Sequence, residues 1–148
     1  MKEESMKKWI WFVVLIYIGF IFYNSSLIGT TSRNNSDPIT AFMLHLFNLS
    51  VSFDFLSLVI RKLAHFCEYA LLGCLLFVAE KKSPLPSIQT KMVYFLFLII
   101  PVIDEIIQFF TEGRSCEIKD MLLDSLGYLC GLLFATLVFN IIQKRRNT

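Results

Sequence analysis

Charge is scarce in this chain. Only 18% of its 148 residues are Asp, Glu, Lys or Arg, against about 25% in an average soluble domain. The shortage accompanies 55% hydrophobic residues, 15 phenylalanines and a mean hydropathy of +0.61. One small core cannot hide that much apolar surface, so lipid must cover part of it. This excludes an ordinary soluble domain and points to a single integral membrane domain over residues 1–148. The formal charge of +2, with no basic patch interleaved with aromatics, argues against a nucleic-acid partner. Cys67, Cys74, Cys116 and Cys130 form no C-x-x-C pair, so zinc-knuckle and thioredoxin-type motifs are missing. Three of them lie in apolar runs and read as small hydrophobes. Cys116 reads as a plain loop thiol. There is no internal repeat and no low-complexity tract.

What is present is four apolar runs, at about 9–27, 59–79, 92–110 and 121–142. Each is near the ~20 residues needed to cross a hydrocarbon core. The first follows Lys2, Lys7 and Lys8, as a signal peptide would, but it is long and lacks a small-x-small cleavage site, so it reads as a retained span. Pro101 lies inside the third run and predicts a kink just before Asp104. The N-terminus, the loop at 80–91 and the C-terminus hold nine lysines and arginines, and the opposite side holds five. By the positive-inside rule both termini are cytoplasmic, in a multi-pass cell-membrane protein. Trp9 and Trp11 fit an inner interfacial belt. The stretch 24–58 is then extracytoplasmic. Its Ser-, Thr- and Asn-rich start, Asn24 to Ser36, reads as loop. Asp37-Pro38 reads as a helix start, followed by Ile39, Phe42, Met43, Leu46 and Phe47 at helical spacing. The expected fold is all-α: a bundle of four transmembrane helices with a short extracytoplasmic interfacial helix.

The few charges are not spread at random. Arg61, Lys62, His65 and Glu68 enter the second span, with Tyr69 beside them. Asp104, Glu105 and Gln108 lie near the end of the third. Arg114 follows in the turn Thr111–Ser115, and Asp120 and Asp124 open the fourth. Ionisable side chains inside a bilayer are costly and face a protein interior or a watery cavity. Arg61, His65 and Glu68 share one helical face, as do Asp104 and Gln108, and Asp120 and Asp124. Counting 1.5 Å per residue brings all three helices' charges to a similar outer depth, which predicts one polar site between spans two, three and four. Gly127-x-x-x-Gly131 permits a close helix approach below it, and Gly73 reads as a packing residue.

Arg61-Lys62-x-x-His65-Phe66-x-Glu68-Tyr69-x-x-x-Gly73 resembles the first signature of the VanZ-like family. Asp104-Glu105-x-x-Gln108-x-x-x-x-Gly113-Arg114-Ser115, with Asp120-x-x-x-Asp124-x-x-Gly127-x-x-x-Gly131, resembles the second. Asn24-Ser25-Ser26 sits where members carry a serine-rich turn after the first span. The resemblance covers nearly the whole chain and implies a small multi-pass membrane protein. The family's name comes from a component associated with reduced susceptibility to the glycopeptide teicoplanin, an effect that does not require remodelling of the peptidoglycan target. It implies no particular reaction.

Three classes of function remain open on the residues. Arg61, Lys62 and Arg114 suit a phosphate or carboxylate, and apolar walls suit acyl or prenyl chains. Membrane lipids, a lipid-linked cell-wall precursor or a lipoglycopeptide would fit such a site. As an enzyme, the chain would use Glu68 or Asp104 as general base and His65 as proton carrier, but no G-x-S-x-G nucleophile signature is present. As a scaffold, the same charges would only fix the bundle and contact a protein partner the sequence does not identify. His65-x-x-Glu68 with Asp104 and Asp124 has metal-ligand types, yet Arg61 and Lys62 nearby disfavour a cation, so neither a metal nor a cofactor is expected.

Overall fold

The computed structural model describes residues 2–48 and 50–146 and contains five helices among them: α1 (Lys2–Ser26), α2 (Gly29–Phe47), α3 (Phe53–Lys82), α4 (Ser87–Phe109) and α5 (Ile118–Arg146). Helices α1, α3, α4 and α5 are long and apolar enough to cross a membrane. Many of their large side chains point outwards, among them Phe12, Leu15, Phe95, Leu133 and Phe134. Outward apolar faces are expected where lipid is the solvent. All four cysteines are free thiols.

Each of these four helices covers one apolar run; all four start earlier than the run does, and α3 and α5 also end later. The second begins at Phe53, six residues before Val59, because the Ser52 hydroxyl caps it by accepting the Phe55 N–H at 3.3 Å. A short polar cap is invisible to a hydropathy count but fixes a helix start. Arg61 and Lys62 therefore sit two turns inside α3 rather than at its entrance. Pro101 is buried within a continuous α4.

The expected loop from Asn24 to Ser36 is a correction. Helix α1 runs through Ser26, and α2 starts at Gly29, with Pro38 in its interior rather than its first turn. The polar residues that suggested a loop satisfy backbone carbonyls of the helix instead. Ser36 Oγ donates to Arg33 O at 3.0 Å and Thr40 Oγ1 to Ser36 O at 2.9 Å. This back-bonding lets Ser and Thr sit mid-helix. Tertiary contact anchors the first turn: the Gly29 N–H donates to Glu112 O at 2.9 Å. Ile39, Phe42, Met43, Leu46 and Phe47 are all exposed, so the apolar stripe expected of an interfacial helix faces outwards.

The closest packing joins α3 and α5. A Cβ on Gly127 would lie 2.5 Å from Phe66 O, and one on Gly131 or Gly73 would run into the carbonyl of Ala70 or Tyr128. The two backbones touch along this seam, as small-residue spacing permits in membrane helices. Beneath it Tyr69, Leu72, Leu76 and Tyr128 form the core with Val14 and Ile21 of α1. Helix α1 is tied to α3 by Tyr17 Oη donating to Glu68 O at 3.1 Å, and Trp11 Nε1 donates to Ser83 O just past the far end of α3, also at 3.1 Å.

Gly131→Ala should lower the midpoint of thermal unfolding in detergent, by an amount equivalent to about 1–3 kcal/mol of overpacking. Gly19→Ala is the control. It has open space around it and should leave the midpoint unchanged or raise it slightly, because glycine is a poor helix former.

Candidate functional site

At the end of the bundle where α1 finishes and α5 begins, the polar residues converge. Asp104, on α4, is fully buried and accepts two neutral hydrogen bonds. One comes from Ser25 Oγ at 2.5 Å and the other from Gln108 Nε2 at 3.1 Å. Glu68, on α3, accepts from Asn24 Nδ2 at 2.6 Å. Glu105 is 1% exposed, and its Oε2 accepts the Glu117 N–H at 2.9 Å just before α5. Lys62 pairs with Asp120 and lies 3.8 Å from Glu117. His65 Nδ1 is 3.7 Å from Glu68 Oε2. Tyr69 lies wholly within the core beneath them.

The turn after α4 brings in Arg114. The Thr111 N–H donates to Gln108 O at 2.9 Å and the Arg114 N–H to Thr111 O at 3.2 Å. Gly113 has φ +74, a left-handed conformation that glycine adopts without strain. Gly113 also lies against Gly29, where a Cβ would strike its carbonyl. Arg114 Nη2 then donates to Asn24 O at 3.2 Å, and Thr111 Oγ1 to Ser25 O at 3.3 Å. Burial lowers the Arg114 pKa from the ordinary arginine value, with Asp104 opposing that shift. The ordinary value is so high that the guanidinium remains cationic.

Two cavities meet at these residues. The first, about 310 Å³, is lined mostly by polar groups, including Arg33, Arg61, Lys62, Glu105, Arg114 and Asp124. The second, about 430 Å³, has mostly apolar walls from Phe20, Leu27, Ile39, Ile60 and Ala64. Arg61, His65 and Arg114 line both. Among the described residues Arg33, Arg61 and Arg114 enter no ion pair with a carboxylate, and the Arg61 Nε is buried without a hydrogen-bond partner.

The structure thus gathers all eleven residues singled out in the sequence at one end of the bundle, nine of them lining the cavities and Asp104 and Tyr69 fully buried beside them. It also adds contributors. Asn24 and Ser25 come from α1, so the site draws on the first span as well as the other three. Arg33 comes from α2. The polar run Asn24-Ser25-Ser26, closing an apolar span at the depth of the other charges, is the signal that marks the first two. Arg33 left no comparable signal, because its segment read as loop. Donor atoms of His65, Asp104 and Asp124 all lie within 4.8 Å of one another, which makes them the residues able to share a cation.

Ser25→Ala and Gln108→Ala each strip a donor from the buried Asp104. Each should destabilise the protein by about 1–3 kcal/mol, the cost of leaving a buried acceptor unsatisfied, read as a lower midpoint in a detergent thermal melt. Ser115→Ala, at an exposed position, should change nothing. Searches of curated proteins and of solved structures find no match to this chain. The family model described as VanZ/LLP1 matches residues 9–140, a stretch that takes in every residue of the polar site. The chain belongs to the VanZ/LLP1 family.

Proposed function

We propose that this membrane protein binds an anionic amphiphile at the outer leaflet, with the head group in the polar cavity and a hydrocarbon chain in the apolar one. One observation carries the reading. Among the described residues the guanidiniums of Arg33, Arg61 and Arg114 have no carboxylate partner, and they line a cavity that shares Arg61, His65 and Arg114 with a second, apolar cavity. Unpaired guanidiniums in a partly dry site are costly unless an anion completes them. Their planar fork suits phosphate and carboxylate oxygens. The side walls Phe20, Leu27 and Ile60 supply the contact that an acyl or prenyl chain needs.

The excess of lysine and arginine at the opposite end of the bundle supports an outward-facing site. A lipid-linked cell-wall precursor has the required chemistry: a polyprenyl chain on a phosphorylated head. A lipoglycopeptide with its acyl tail shares it, which is how a link to glycopeptide susceptibility would arise from the same site.

Native mass spectrometry of the purified protein tests the reading, using a polyprenyl phosphate and an anionic diacyl phospholipid as probes and a zwitterionic phospholipid as control. Wild type should retain an anionic probe. Arg61→Ala and Arg114→Ala should each reduce its occupancy about tenfold or more, the loss expected for one charge-assisted hydrogen bond. Helicity measured alongside checks that the variants are folded. A wild-type protein that retains no anionic probe, or variants that retain it equally, would remove the binding reading in favour of a scaffold.

A further inference from the structure

The acids of the site are divided unequally among its cations. Lys62 is held by Asp120 and Glu117. Arg114 donates one bond to the Asn24 carbonyl, Glu68 receives Asn24, and Glu105 receives a backbone N–H. Two carboxylates are left over. Asp104 is 0% exposed and accepts hydrogen bonds from the neutral donors Ser25 and Gln108. Asp124 is 1% exposed, and neither of its oxygens has a hydrogen-bond partner among the described residues. These two acids and His65 place donor atoms within 4.8 Å of one another.

We propose that His65, Asp104 and Asp124 form a site for one divalent transition-metal ion in the wall of the polar cavity. A buried carboxylate with no partner is among the most costly features a protein can carry, and here a second carboxylate lies beside it. One dication neutralises both. Ligands about 2.1 Å from a common ion stand about 3.4 Å apart in a tetrahedral site and at most about 4.2 Å apart, so side-chain movements of the order of an ångström close the cluster. The surroundings are those a metal site requires. Ser25 and Gln108 fix the orientation of Asp104, as outer-shell partners do, and Glu68 lies 3.7 Å from His65 Nδ1. His65 and Asp124 both line the cavity, which provides an entry path. An imidazole beside two carboxylates favours Zn²⁺ or Mn²⁺ over the hard ions that prefer all-oxygen cages. The sequence set Arg61 and Lys62 against a cation here. Lys62 is drawn away by Asp120 and Glu117, which weakens that objection. The metal site stands on its own geometry and does not depend on an amphiphile being bound.

The test uses the full chain in detergent, stripped with a chelator and then equilibrated with Mn²⁺ or Zn²⁺. Bound metal is measured by elemental mass spectrometry and thermal stability in parallel. One ion per chain and a raised unfolding midpoint are expected for wild type. Asp124→Asn and His65→Gln should weaken binding at least tenfold. Glu112→Gln, at an exposed acid that lines neither cavity, should leave the stoichiometry intact. In the Mn²⁺ form, electron spin-echo spectroscopy should show coupling to a nitrogen that disappears in His65→Gln. Wild-type protein that takes up no ion at saturating metal overturns the proposal, whether or not the variants fold. Undiminished binding by folded Asp124→Asn also overturns it.

Discussion

The backbone contact between α3 and α5 is the constraint on which the rest of the structure depends. Gly73, Gly127 and Gly131 remove side chains from the seam, and the carbonyls of Phe66, Ala70 and Tyr128 occupy the space. Close approach gives two membrane helices their van der Waals attraction where no hydrophobic effect between them operates. It also fixes their axial register. With Gly127 seated on Phe66, His65 and Asp124 come to the same level a turn or less away. The Lys62–Asp120 pair falls one turn further out. A slip of one residue along this seam would separate every one of these pairs.

Above that seam the charges are sorted rather than simply balanced. The lysine is matched with acids at the rim. The arginines face cavities, and the deepest acids have only neutral donors or none. A network serving stability alone would pair buried opposites, because an isolated charge in a low-dielectric setting is penalised. Leaving both signs unpaired within one small volume is the arrangement expected where external ions complete the electrostatics.

Much of this was legible from the residues. Four apolar runs gave four spans, and helical spacing put Arg61, His65 and Glu68 on one face. A constant rise per residue brought the charges of three helices to one depth. Each follows from a periodicity that lipid surroundings enforce. What escaped notice depends on contacts distant in sequence. Helix α2 forms through residues that ordinarily favour turns, because their hydroxyls bond back onto the helix and Gly29 is caught by the α4–α5 turn. The share of α1 in the site depends on where its last turn is pinned, against Asp104 and Glu68. The partition of cations among acids is a matter of distances of a few ångströms, which no one-dimensional pattern encodes. Orphaned Asp124 becomes visible only in three dimensions.

The contact of Gly29 with Gly113 has a mechanical meaning. Arg33 stands one helical turn beyond Gly29, and Arg114 directly follows Gly113, so both guanidiniums are carried by a single backbone contact. Helix α2 and the α4–α5 turn, 84 residues apart in the chain, therefore act as one rim. Rim and floor are thus both joined at glycines: Gly29 against Gly113 holds two positive charges together over the cavity, and Gly73, Gly127 and Gly131 close the seam beneath.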